Sequence, residues 1–276
     1  MNLIIQGALL ADDELRQIAQ LAGAQHTERL GAAAWRLIGA QRRPGVAEYC
    51  AGAGLDYGFV PEGRKLADMR LLAIDMDSTL ITIECIDEVA DLAGVKSEVS
   101  AITAAAMSGD LDYAQSLQRR VRLLRGLDQS ALARVYDERL QLSPGAEMLF
   151  AAVRRAGVKT LLVSGGFSFF TERLKTRLGL DYSISNVLEI EDGRLSGRVI
   201  GDIVDAEGKA AKLRALRDEF GMARAAIVAI GDGANDVAMM AEAGVSIAYR
   251  AKPVVRLKAD YALDHAGLDG VLNLFG

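Results

Sequence analysis

The sequence predicts an α/β fold: a mainly parallel sheet with helices on its faces, a helical insert after the first acid-tipped strand, and a small α+β unit in front. Three observations carry this. Residues 71–74, 158–163 and 225–230 are short apolar runs that read as strands buried on both faces. Helical segments alternate with such runs through the second half of the chain. Between Glu84 and Leu140, by contrast, the pattern is almost wholly helical.

Taken in order, the chain opens with a short strand from Leu3 and a helix that begins near Asp12 or Asp13 and runs through Leu21. A second strand is predicted around residues 33–38, a helix over 46–51 and an extended piece near 57–60. Residues 1–62 thus form a small α+β domain, linked onward by Pro61-Glu62-Gly63-Arg64-Lys65. No catalytic cluster lies there, and His26 reads as a surface residue. Gly52-Ala53-Gly54-Leu55-Asp56-Tyr57-Gly58 departs from a dinucleotide fingerprint, because its last glycine is one place late and no strand leads in; it reads as a structural loop.

Residues 68–83 and 143–276 are assigned to the core and 84–142 to a helical cap. Within the cap, Ile86, Val89, Ala90 and Ala93, then Val99, Ile102 and Ala106, then Leu117, Val121 and Leu124 recur at helical spacing. Gly94, Gly109 and Gly126 punctuate it, and its place in the chain suits a lid. Ser143-Pro144-Gly145 is expected to start a helix with Pro in its first turn. The strand over 158–163 ends in Ser164-Gly165-Gly166. A hairpin with arms 187–190 and 195–200 turns at Asp192-Gly193. Lys209 opens a helix, the strand over 225–230 ends in Gly231-Asp232-Gly233-Ala234-Asn235-Asp236, and a helix covers 237–243. Residues 245–248 form the last buried strand and 268–275 a closing helix.

The 276 residues are 51% hydrophobic and 25% charged, the balance of a soluble protein with a sizeable core. A formal net charge of −5 argues against a nucleic-acid or anionic-membrane binder, which carries a basic face. Cys50 and Cys85 are too few and too scattered for a disulfide framework or a metal knot, and read as reduced thiols. The first residues lack a basic region and a long apolar core, and no apolar run reaches spanning length. A cytoplasmic location is expected.

The chemistry starts at Asp75-Met76-Asp77-Ser78-Thr79. Strand alternation would point Asp75 and Asp77 the same way and Met76 into the core. Two carboxylates that close persist only around a cation or with one of them protonated. A calcium loop is excluded, since its sixth and twelfth places hold Leu80 and Ile86. Three strands then end in polar motifs along one edge of the sheet, where open parallel sheets bind ligands: Asp75/Asp77, Ser164-Gly165 and Asp232/Asp236. Gly165 and Gly166 allow backbone N–H groups to approach an anion, and the Ser164 hydroxyl and Lys209 ammonium add donors, which describes a phosphate site. Gly231 and Gly233 allow the turn that faces Asp232 toward the first two acids. Three acids beside a phosphate call for a hard cation, ordinarily Mg²⁺. Zinc has no ligand set, and no ATP-binding P-loop occurs.

These residues, in this order, resemble the haloacid dehalogenase superfamily, and more closely its phosphoserine phosphatases. The resemblance covers roughly residue 71 to the C-terminus. Many superfamily members carry Gly where Ser78 stands, and the Asp-x-Asp-Ser-Thr sequence followed by Glu84-Cys85-Ile86-Asp87-Glu88 is similar to the phosphoserine phosphatase version. The resemblance implies a Rossmann-like core with a cap and Mg²⁺-dependent hydrolysis of O-phosphoserine, the last step of serine biosynthesis. It implies Asp75 as nucleophile and Asp77 as acid/base. Mg²⁺ would be held by Asp75, the Asp77 main-chain carbonyl and Asp232. Glu84 and Arg120 would bind the serine portion, and Ser164, Gly165, Lys209 and Asn235 would complete the substrate site. Lys212 is the alternative to Lys209, but the spacing to Asp232 favours Lys209. Thr79 and Asn235 are candidates for holding Asp77 and the phosphate, and Asp236 for orienting Lys209 or the waters of the metal. Met107 and Tyr113 are candidates for the apolar wall, or for core packing.

The partner is a small molecule, with neither nucleic acid nor membrane expected. The segment before about Pro61 lies outside these motifs, which leaves open a regulatory role or a homo-oligomer built through it. Two rival readings stand beside hydrolysis: phosphoryl transfer to another alcohol, and a non-catalytic amino-acid-sensing module.

Overall fold

The computed structural model describes residues 1–107 and 110–276; Gly109 and the Met107 side chain, both named above, lie outside the described residues. At the N-terminus β1 (Asn2–Gln6), β2 (His26–Gly31), β3 (Ala34–Ile38) and β4 (Asp56–Val60) form an antiparallel sheet in the order β2-β3-β1-β4. Helices α1 (Asp12–Ala22) and α2 (Val46–Gly52) cover it. Alternation along β1 divides its side chains between two cores. Leu3 and Ile5 pack with Ile18, Trp35 and Cys50 inside this unit, whereas Ile4 joins Val60 in the main core of the molecule. Strand β2 was not anticipated: its side chains are almost all exposed, so it carries no hydrophobic alternation to read.

The main sheet is built on β5 (Leu71–Asp75), which is buried along its whole length. An insert follows it, made of α3 (Cys85–Leu92), α4 (Lys96–Met107), α5 (Tyr113–Leu123) and α6 (Ser130–Arg134), with a wider turn over Val135–Arg139. The chain then passes through α7 (Ala146–Arg155), β6 (Lys159–Phe167), α8 (Ser168–Leu178), β7 (Tyr182–Glu191), β8 (Arg194–Ile200), α9 (Ala206–Glu219) and β9 (Ile227–Gly231). Last come α10 (Val237–Ala241), β10 (Val245–Tyr249), α11 (Pro253–Arg256) and β11 (Tyr261–Leu263). The strand order is β11-β10-β9-β5-β6-β7-β8, parallel except for the β7/β8 hairpin.

Register decides where the polar tips fall. Ile74 lies opposite Leu162 on β6 and Ile230 on β9, and Asp75 opposite Val163. The residues that follow on all three strands therefore emerge at the same edge, the carboxyl end of a parallel sheet.

Several boundaries differ from the sequence reading. Pro144 precedes the helix instead of opening it: Gly145, at φ +80°, turns the chain into α7, and a Cβ there would sit 2.0 Å from the Asp269 carboxylate. Strand β6 runs through Ser164-Gly165-Gly166 to Phe167 instead of ending before them. Helix α9 begins three residues before Lys209, because Asp205 accepts the Gly208 N–H and caps it. Helix α10 stops at Ala241, two residues short of its expected end. The closing helix is a tighter 3₁₀ segment, Leu268–Leu274, and the short strand β11 ahead of it was not anticipated. Among the described residues no helix is long and apolar enough to cross a membrane.

Candidate active site

Asp75 closes β5 and is 5% exposed. The chain then leaves the strand in a turn over Met76–Leu80, in which Ser78 takes φ +56°. Asp77 is accordingly placed by this turn and not by strand alternation, which corrects the geometric reason given for its orientation; Met76 does point into the core. The Asp77 carboxylate accepts the Cys85 N–H at 2.8 Å and the Ser164 hydroxyl at 3.2 Å. Ser164 is fully buried, and its oxygen also accepts the Gly166 N–H at 2.8 Å.

Lys209 is 1% exposed and lies beneath the acids. Its ammonium donates to Asp236 at 2.7 Å and to Asp75. The other Asp236 oxygen accepts the N–H groups of Asp232 (3.2 Å) and Gly233 (3.0 Å), so this residue braces both the lysine and the turn after β9. Thr79 donates to Asp232 at 2.9 Å, while the Thr79 carbonyl accepts the Ser143 hydroxyl at 2.7 Å. Thr79 thus supports Asp232 and not, as expected, Asp77. Lys212 lies away from this network, half-buried on α9.

Carboxylate oxygens of Asp75, Asp232 and Asp236 all lie within 4.8 Å of one another. Such a set, oxygen-only and anionic, suits a hard divalent cation. The electrostatics point the same way. Burial pushes the Asp75 carboxyl well above its ordinary range, the Asp236 charge adds to this, and Lys209 opposes it. Asp232 is raised as well, by burial first, with Thr79 pulling the other way. Burial disfavours the charged form of Lys209, but Asp236 and Asp75 more than offset that and hold it charged. One ammonium does not balance three acids, and a cation among them would supply the missing charge. Asp77 is outside this cluster; burial raises its carboxyl too, against the Cys85 and Ser164 hydrogen bonds.

Above these groups opens a cavity of about 630 Å³ between the sheet edge and the insert. Asp75, Asp77, Gly165, Gly166, Asp232 and Asn235 line it from below, and Glu84, Tyr113 and Arg120 from the insert. Ser164 and Lys209 do not reach its wall; they hold Asp77 and Asp75 from behind. Arg120 is the half-buried member of the Arg119-Arg120-Arg122 run, whose other two are exposed. Its Nε donates to the Ser116 carbonyl at 3.4 Å, and its charge partly counters the burial that raises the Asp87 carboxyl. Glu84 is accessible at the cavity mouth yet has protein on most sides. Lost hydration and repulsion from Asp77 push it to about 7, while a hydrogen bond from Ser78 (2.7 Å) works against this.

Two residues here escaped the sequence reading. Asn186 is 1% exposed; its amide donates to the Gly165 carbonyl at 2.8 Å and its oxygen accepts the Val204 N–H at 2.8 Å, which fixes the glycine pair. An isolated Asn in a strand of mixed polarity gives only a weak signal of that duty. Lys252, exposed at the rim, is far in sequence from every motif. Tyr113, a candidate for the apolar wall or for core packing, lines the cavity, and its hydroxyl also donates to the Gly165 carbonyl at 2.9 Å. A smaller cleft of about 200 Å³ lies at the opposite end of β6; its Lys159 and Asp181 pair with each other at 2.7 Å, which leaves little there for a ligand.

Residues 72–241 match the family described as haloacid dehalogenase-like hydrolase, and residues 3–46 match a domain of unknown function (DUF4072). A phosphoserine phosphatase of a Polaromonas species is 53% identical over 226 residues, 80% of this chain and 96% of that protein. Among solved structures, a probable phosphoserine phosphatase from Vibrio cholerae, in its unliganded form, superposes with a TM-score of 0.88 at 37% identity, over 99% of this chain and 86% of that one. A haloacid dehalogenase family hydrolase from Salmonella enterica gives 0.89 at 33% identity, over 100% and 99%.

Proposed function

This chain belongs to the haloacid dehalogenase-like hydrolases, within them to the phosphoserine phosphatases, and from that premise we propose that it hydrolyses O-phosphoserine to serine and phosphate with Asp75 as the phosphoryl carrier. The observation that supports this most is the single cavity in which paired acids over a buried lysine face a carboxylate and a guanidinium from the insert. Phosphate monoesters are among the slowest substrates to hydrolyse unaided, with enzymes supplying up to ~10²¹-fold, so a covalent step is chemically apt.

Asp75 attacks phosphorus and takes the phosphoryl group, forming an aspartyl phosphate. Asp77, whose raised pKa favours holding a proton, gives it to the departing serine oxygen and then takes one from the water that hydrolyses the intermediate. The Gly165 N–H, with Asn235, holds the phosphoryl oxygens, while Ser164, which accepts the Gly166 N–H, keeps Asp77 in place. Lys209 keeps Asp75 oriented and favours its ionised, nucleophilic form. Mg²⁺ bound by Asp75, Asp232 and the Asp77 main-chain carbonyl would draw charge from the phosphoryl oxygens. Both Asp236 oxygens are already engaged, so Asp236 acts as a brace. Glu84 receives the substrate ammonium and Arg120 its carboxylate. Residues 84–142 act as the cap over a core of 68–83 and 143–276, with 1–62 as a separate domain.

The test is phosphate release with Mg²⁺ across phosphoserine, phosphothreonine, phosphotyrosine and an aryl phosphate. We expect phosphoserine to give the highest kcat/KM, chelation to abolish turnover, and Asp75→Asn to lose at least ~10³-fold. Equal turnover of all four esters would refute the substrate assignment.

A further inference from the structure

Ser78 is one of three non-glycine residues at positive φ among the described residues, with φ +56° and ψ 0°. Glycine adopts this left-handed conformation without penalty, whereas a residue with a Cβ does so at a cost, so the side chain kept there invites a functional explanation. Ser78 closes the loop after the acid pair twice over. Its backbone N–H donates to the Ile83 carbonyl at 3.2 Å, and its hydroxyl donates to Glu84 Oε1 at 2.7 Å. Glu84 stands at the N-cap of α3, where a carboxylate would ordinarily turn onto the first free N–H groups; it makes no such bond. Its carboxylate is instead turned to Ser78, at the cavity mouth. One residue further on, the Cys85 N–H donates to Asp77, so the loop that holds Glu84 is tied to the acid pair from both ends.

We propose that Ser78 is a positioning residue that sets specificity: its hydroxyl fixes the Glu84 carboxylate where a substrate ammonium is read, and so selects amino-acid phosphates over esters that lack the ammonium. The inference rests on the phosphoserine reading above. A glutamate side chain free at a cavity mouth samples many rotamers, and ordering it on binding weakens the contact; a fixed partner removes that cost beforehand. The left-handed conformation at position 78 is what aims a short side chain across the loop at residue 84.

The experiment compares Ser78→Gly and Ser78→Ala in the full chain with Mg²⁺, on phosphoserine and on an aryl phosphate. Glycine relieves the backbone and alanine does not, yet both remove the hydroxyl. The expected result is that both variants raise KM for phosphoserine relative to the aryl ester by ~10-fold, with kcat on phosphoserine within about twofold of the parent. Thermal melting should show Ser78→Gly at least as stable as the parent. In a Glu84→Ala background neither substitution should add to the loss. The inference is overturned if both variants keep the parent KM ratio, if only Ser78→Ala changes it, or if the two substrates suffer equally. A parent that does not prefer phosphoserine would remove the substrate reading and this inference together; a parent that does, with unchanged variants, removes this inference alone.

Discussion

Glu84 is where residue chemistry has the clearest readable consequence. Its carboxyl is pushed to about 7 by lost hydration and by Asp77, so it is charged above that pH and neutral below it. A neutral carboxyl no longer attracts an ammonium. We therefore expect KM for phosphoserine to rise as pH falls through about 7, while KM for an aryl phosphate, which shares the titrating phosphate but lacks the ammonium, changes much less. Parallel pH profiles for the two substrates would contradict this. At the same scale, the grouping of Asp75, Asp77 and Asp232 was legible because acids at strand ends stand out against apolar runs, and Lys209 because of its spacing to Asp232 in a chain that resembles a known family. Hydrogen-bond partners were not legible: Thr79 turns to Asp232, and Ser164 lies behind Asp77, because a turn with one left-handed residue replaces the regular pleat at that point.

At the scale of elements, three adjacent parallel strands in register deliver the site, and the turn after β9 shows how little freedom they leave. A Cβ on Gly231 would sit 2.5 Å from Asp236 Cβ, and Asp236 cannot retreat, since its oxygens are held by Lys209 and by two backbone N–H groups. Gly231→Ala should displace Asp232 and Asp236 and reduce kcat/KM by at least ~10²-fold; steady-state kinetics beside a melting curve checks it, and near-parental activity would show the turn to be tolerant. The strands and helices that bury a face were readable from periodicity. What escaped was β2, exposed along its length, and β11, three residues long, because neither carries enough apolar pattern to stand out. The start of α9 was misplaced since its cap, Asp205, precedes the lysine that drew attention.

Across the whole molecule, the N-terminal sheet is fastened to the carboxyl-terminal segment by buried polar side chains, Asp56 foremost. Asp56, 3% exposed, accepts the N–H groups of Asp264 (2.7 Å), His265 (3.0 Å) and Ala266 (2.8 Å). Gln6 adds a hydrogen bond to the Gly270 carbonyl, and Ile4 and Val60 enter the main core. Such docking could not be read from the sequence, where Asp56 sits in a glycine-rich stretch that reads as a loop and its partners lie some 200 residues away. Asp56→Ala leaves three N–H groups without their acceptor and should cost about 2–4 kcal/mol, a fall in Tm of roughly 3–7 °C, with kcat/KM little changed in the folded enzyme. An unchanged Tm would show that the apolar contacts alone hold the two units together.

The claim on which all of this turns is that the carboxylate at the end of β5 becomes covalently phosphorylated. Acid-quenching the enzyme during turnover of phosphoserine, followed by digestion and mass spectrometry, tests it most directly. The account predicts a phosphoryl group on the peptide containing Asp75, at that residue, and none in Asp75→Asn. A label on another residue, or an Asp75→Asn enzyme that turns over at the parental rate, would contradict it.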